Sequence, residues 1–143
     1  MPQVSKIKLD PEIENNIFTA FFNSFAKTTE KQTIEKFLDN LLTQTEKIML
    51  AKRFAAALLI HRNYPTDLIS YTLKLSRTTI GTVRREIEKR GEGYRAIFKL
   101  ADYEILHKKT EFSRIFQKIE ELIDIASLPM KGSPSSIRRW KNR

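Results

Sequence analysis

YPTDLISYTLKLSRTTIGTVRR, Tyr64 to Arg85, carries its apolar residues at the spacing of two short helices joined by a tight turn. Pro65 suits a helix start because its φ is already locked near the helical value, and the helix that follows would bury Leu68, Ile69 and Leu73. Leu75 fills the turn, and Ser76 is a good N-cap for a second helix running to about Arg90. In that second helix Ile80 and Val83 face inward, which leaves Arg77, Thr78, Thr79, Thr82, Arg84 and Arg85 outside. This is the pattern of a helix-turn-helix over about residues 65–90. An outward face of arginines and threonines matches the major groove of DNA, where arginine grips guanine with two hydrogen bonds and threonine pairs with base edges or phosphates. Lys74 occupies the turn position that commonly holds glycine, so a left-handed backbone there would cost about 1 kcal/mol. Ser70 stands where a small apolar residue is usual.

The composition agrees with that partner without identifying it. At 143 residues and 41% hydrophobic content, the chain can bury one core. We expect a single helical domain over residues 1–126 and a flexible basic tail over 127–143, where prolines and glycine mix with Lys131, Arg138, Arg139, Lys141 and Arg143 without an acid. A net charge of +9 favours a polyanion, since neutralising phosphates releases counterions. Cysteine is absent, which removes disulfides, thiolate metal sites and cysteine nucleophiles. The first residues lack the apolar stretch of a signal peptide, and the run Phe54 to Ile60 is too short to span a bilayer, so a cytoplasmic protein with no membrane partner is expected.

Helical periods fill the rest of the chain, and no strand pattern competes with them. Asp10-Pro11 opens a helix to about Ala26 with the aromatic stripe Ile13, Ile17, Phe18, Phe21, Phe22 and Phe25, more apolar surface than a small monomer covers easily. Thr28 or Thr29 is expected to cap a second helix through Ile34, Phe37, Leu38 and Leu41. Thr43 and Glu46 form a capping box for a third, in which Met49, Leu50, Phe54, Ala55, Ala57, Leu58 and Leu59 are the expected inward residues. After the helix-turn-helix, Gly91 and Gly93 interrupt. A helix from Tyr94 to about His107 follows, then a last one after Thr110 whose apolar face is Phe112, Ile115, Phe116, Ile119, Leu122, Ile123 and Ala126.

The run LLTQTEKIMLAKRFAAALLI, Leu41 to Ile60, followed by the S-x-T-T-I turn at Ser76 and by GEGYRAIF, Gly91 to Phe98, resembles the Trp repressor family, and within it the YerC/YecD-like branch. The resemblance spans roughly residues 34–106. It implies an all-α fold of six to seven helices, an intertwined homodimer whose flanking helices build the shared core, and two reading heads on double-stranded DNA. The operator would then be palindromic, with half-sites about one helical turn apart. The tryptophan-sensing member of the family holds its corepressor between two arginines. Arg53 matches the first, but Thr82 stands at the second position, and a threonine cannot stack on an indole as a guanidinium does. The resemblance therefore implies a regulator that does not respond to tryptophan, and any small-molecule effector stays open.

Each of these features also has a plainer explanation. The outer face of the second helix could be ordinary solvated charge, and Lys52 and Arg53 an exposed basic pair. The Ser76 cap, the inward Ile80 and Val83 and the lack of an acid before Glu86 favour DNA contact for the first, and the family match alone raises the second, with Arg77, Thr78, Thr79 and Thr82 at bases and Lys52, Arg53, Arg84 and Arg85 at phosphates. His61 and His107 have no second ligand at metal spacing, and Glu86, Glu88, Glu92 and Glu104 are interleaved with lysine and arginine as in surface pairing, so no metal, cofactor or catalytic role is expected. The terminal RRWKNR is either solubilising charge or an arm along the DNA. The leading expectation is a sequence-specific transcriptional repressor. Its alternative is a non-catalytic nucleic-acid-binding module of a replication or mobile-element complex.

Overall fold

A computed structural model describes residues 7–107 and 110–126; the tail, including RRWKNR, lies outside the described residues, as do the side chains of Phe112, Phe116, Ile123 and Ala126. Seven helices and no strand are found among the described residues: α1 Pro11–Lys27, α2 Lys31–Leu41, α3 Gln44–His61, α4 Thr66–Leu73, α5 Arg77–Arg90, α6 Glu92–His107 and α7 Glu111–Ala126. The fold is all-α, as the periodicity predicts. Contacts divide the chain into two compact units, Met1–Lys47 and Ile48–Arg143, described separately below.

In the first unit, α1 starts where Asp10 accepts a hydrogen bond from the Glu12 amide at 2.9 Å and Pro11 occupies the first turn. Its aromatic stripe forms a ladder: Phe21 meets Phe25 edge-on with ring centres 5.0 Å apart, and Phe25 meets Phe37 of α2 at 5.6 Å. No residue of α1 or α2 is buried. The expected threonine cap of α2 is not there. Thr28 instead closes α1, its amide donating to the Phe25 carbonyl and its hydroxyl to that of Ser24, and Glu30 takes the N-cap of α2, its carboxylate accepting from the Thr33 hydroxyl and from no helix amide. A threonine near the end of a helix finds an i−4 carbonyl already in reach, and that acceptor wins. The capping box of α3 forms as expected: the Thr43 amide and hydroxyl donate to Glu46 Oε2 at 2.8 and 2.7 Å, and the Glu46 amide returns to the Thr43 hydroxyl at 3.3 Å. Those two donors hold the Glu46 carboxyl below its ordinary range.

The second unit holds the core. Its largest fully buried side chains are Leu58 and Leu59 of α3, Leu68 and Ile69 of α4, Ile80 of α5 and Phe98 of α6. Each contributes about 1.5–3 kcal/mol by leaving water. Five consecutive residues, Ala56 to Ile60, are buried, so the C-terminal half of α3 is enclosed on all sides. Its first half is not. Met49, Leu50 and Phe54, expected inward, are 41%, 49% and 37% exposed. Helix α3 ends on Asn63, whose φ of 60° lets the Tyr64 amide reach back to the Leu59 carbonyl at 2.9 Å and turns the chain into α4. Gly91 alone separates α5 from α6; Gly93 already lies in the first turn of α6. Of the expected apolar face of α7, Ile119 packs on the core, whereas Ile115 and Leu122 remain exposed.

Candidate nucleic-acid interface

Helices α4 and α5 pack on each other, and the turn between them has the geometry of a helix-turn-helix. Lys74 sits at φ 52° and ψ 48°, the left-handed conformation that costs a non-glycine residue about 1 kcal/mol. Two contacts oppose that cost. The Ser70 hydroxyl donates to the Leu75 carbonyl at 2.7 Å, which fastens α4 to the residue after the turn, and the Lys74 ammonium lies 4.3 Å from the centre of the Tyr71 ring. Ser70, a departure from the usual small apolar residue, thus closes the turn.

Ser76 caps α5, accepting from the Thr79 amide at 3.1 Å. Ile80 and Val83 are 0% and 3% exposed and anchor α5 to the core. Their burial fixes which residues face outward. Arg77, Thr78, Thr82 and Arg85 are exposed, whereas Thr79 and Arg84 are partly covered. The hydroxyls are not idle: Thr79 Oγ1 lies 2.9 Å from Ser76 Oγ, and Thr82 donates to the Thr78 carbonyl at 3.0 Å while accepting from Arg85 Nη2 at 3.4 Å. A threonine whose proton is already given to the backbone can still accept a hydrogen bond or present its methyl. Arg84 reaches back to the Thr66 hydroxyl of α4 at 3.5 Å. Arg77 Nη2 lies 2.9 Å from Asp67 Oδ1, also on α4. Lys52 and Arg53 stand on α3, half-covered, and so belong to a separate element from the α5 set.

The outward face of the motif is therefore less purely basic than α5 alone indicates, because the fold carries Asp67 against Arg77. That residue was legible only as an acid favourable to the start of α4. Further back, Arg90 Nε binds Glu86 Oε2 at 2.7 Å, one turn apart, and holds that carboxyl below its usual range. Behind the motif, Arg62 Nη2 lies 2.6 Å from Asp102 Oδ1 and its Nε 2.6 Å from Glu120 Oε1, while His61 Nε2 is 3.4 Å from Asp102 Oδ2. With the Tyr64 hydroxyl donating to Asp124 at 3.3 Å, these polar contacts pin α7 to the corner between α3 and α4. His61 is thus half-covered and paired, as a structural histidine should be. The cluster joins residues 40 to 60 positions apart in sequence, and no local signal announces it.

An all-helical chain that presents a core-anchored second helix after the three-residue turn of Lys74, Leu75 and Ser76 defines the class: a helix-turn-helix protein. The family model described as Trp repressor protein matches residues 16–102, more than half of the 143, and the chain belongs to that family of DNA-binding regulators. The match begins inside α1 and ends within α6, so α7 lies beyond it. Searches among characterised proteins and among solved structures gave no match. No helix among the described residues is long and apolar enough to cross a membrane.

Proposed function

We propose that this protein is a sequence-specific, duplex-DNA-binding transcriptional repressor that works in the cytoplasm as a homodimer, without catalysis, by occupying its operator. Residues 1–126 act as one DNA-binding domain, and 127–143 as a flexible basic extension. The observation that carries this reading is α5: capped by Ser76, anchored through Ile80 and Val83, with Arg77, Thr78, Thr82 and Arg85 exposed and Thr79 and Arg84 partly covered. Arg77, Thr78, Thr79 and Thr82 meet base edges; Arg84, Arg85, Lys52 and Arg53 meet phosphates. The dimer is supported by Phe18, Phe22, Met49, Leu50, Ile97 and Leu100, large apolar side chains each more than a third exposed in a single chain. Within the family, the S-x-T-T-I turn and the RGEGY segment support assignment to the YerC/YecD-like branch.

Selection of bound sequences from a random duplex pool tests the proposal. The expected product is a palindrome with half-sites about one helical turn apart. Recovery of no enriched site would overturn it. Calorimetry with L-tryptophan should show no saturable binding, since Thr82 offers a hydroxyl already bonded to the Thr78 carbonyl where the sensing arginine would stand. Saturation at micromolar ligand would refute that part.

The second reading, a module of a replication or mobile-element complex, is favoured by one observation. Helix α7 lies beyond the family match and leaves Ile115, Leu122 and Ile125 exposed. Light scattering during size exclusion separates the two, a stable homodimer supporting the repressor and a monomer the module.

A further inference from the structure

The contact between Asp67 and Arg77 has no evident purpose in stability. Arg77 and Asp67 side chains are 75% and 64% exposed, and a pair so open to solvent contributes about 0–1 kcal/mol. It nevertheless places a carboxylate at the start of α4, against the first residue of α5, in a chain of net charge +9 that must approach a polyanion. A carboxylate there repels phosphate. It is tolerable on a DNA-facing edge only if it does something for its neighbour.

What it can do follows from the shape of the guanidinium. Arg77 Nη2 is engaged by Asp67 Oδ1 at 2.9 Å, which biases the orientation of the group and leaves its remaining donors to point elsewhere. Two parallel donors are what the O6 and N7 acceptors of guanine require in the major groove. The same carboxylate partly neutralises Arg77 and so penalises the competing use of this side chain, a charge contact to a phosphate. Arg84 and Arg85 differ: they lean on threonine hydroxyls at 3.5 and 3.4 Å and keep their full charge for the backbone of the nucleic acid.

We infer that Asp67 is a specificity-determining positioning residue, which holds Arg77 for bidentate reading of a guanine in each half-site and keeps it off the phosphates. This rests on the DNA-reading function proposed above. The test uses the full-length protein, with random-pool selection followed by titrations on the enriched site and on an unrelated duplex at two or more salt concentrations. Asp67→Ala should lower the guanine preference at one position of each half-site by about tenfold, the scale of one bidentate contact. It should also tighten binding to the unrelated duplex and steepen the salt dependence by about one phosphate per protomer. Asp67→Asn, which keeps an acceptor and loses the charge, should fall between wild type and Asp67→Ala. Arg77→Ala should lose the same guanine preference, and adding Asp67→Ala to it should change nothing further at that position. If Asp67 only stabilised the start of α4, its variants would melt earlier and weaken all duplexes alike, with base preference intact; that result overturns the inference while leaving the DNA-reading function standing. A wild-type protein that enriches no site overturns both.

Discussion

Helices α1 and α2 and the block α3 to α6 all carry apolar residues at helical spacing, yet they end in opposite states. Ile13, Ile17, Phe18 and Phe22 of α1 are all more than half exposed, whereas Leu68, Ile69, Ile80 and Phe98 of the second unit are essentially inaccessible. An apolar stripe states that a face needs cover, and it does not say which surface provides it. In the second unit the cover comes from within the chain, because short turns at Asn63, Lys74 and Gly91 fold successive helices back on one another. The same lack of cover extends into the first half of α3, where Met49 and Leu50 are exposed. A second copy of the chain is the cover we propose.

Substitutions in the two regions should therefore fail in different ways. Phe98→Ala removes a ring packed against Phe54, His61 and Tyr94 and should cost about 3–5 kcal/mol in chemical denaturation. That loss should not depend on protein concentration. Phe18→Ala combined with Phe22→Ala should cost about 2 kcal/mol per protomer if the rings are covered in a dimer. The loss should appear as a concentration-dependent melting temperature and a shift toward monomer in light scattering. A concentration-independent change within about 0.5 kcal/mol would mean that the stripe stays in solvent and would break the comparison.

Smaller effects sharpen the account of the motif itself. Ser70→Ala deprives the Leu75 carbonyl of its donor and should cost about 1 kcal/mol, with a larger proportional loss of specific DNA affinity because the turn sets the angle of α5. The smallest effect is one of pH. Burial, followed by the charges of Asp124 and Glu120, pushes the Tyr64 phenol from the usual 10 up to about 12. A phenol that keeps its proton longer when folded contributes fully below pH 10, and its contribution declines as pH rises through 12. Stability should fall over that window in the wild type and fall less in Tyr64→Phe, read by denaturant midpoints at each pH. An identical slope in both would show that the hydroxyl does not tie α7 to the α3–α4 corner.

Much of this was legible in the sequence where the determinant is local. The Asp10-Pro11 start of α1, the Thr43–Glu46 box and the Ser76 cap each involve groups within four residues, so residue order alone fixes their partners. The inward pair Ile80 and Val83 was legible because helical period and cap together set the phase of α5. The cap of α2 misled because the Thr28 hydroxyl can donate back to a carbonyl of α1 or accept from an amide of α2, and pattern does not weigh the two. The ion pair of Asp67 and Arg77 escaped sequence reading for a different reason: the two are ten positions apart, and only the turn geometry brings them to 2.9 Å.

The sequence by itself determined the helices, the caps of α1, α3 and α5 and the outward phase of α5, since these follow from backbone hydrogen bonding and period within single segments. Tertiary structure decided which apolar faces are covered, which arginines of α5 are tethered and to what, and that Arg62 joins Asp102 and Glu120 behind the motif. Those outcomes depend on distances between segments, which are set by three turn geometries and the packing of the core.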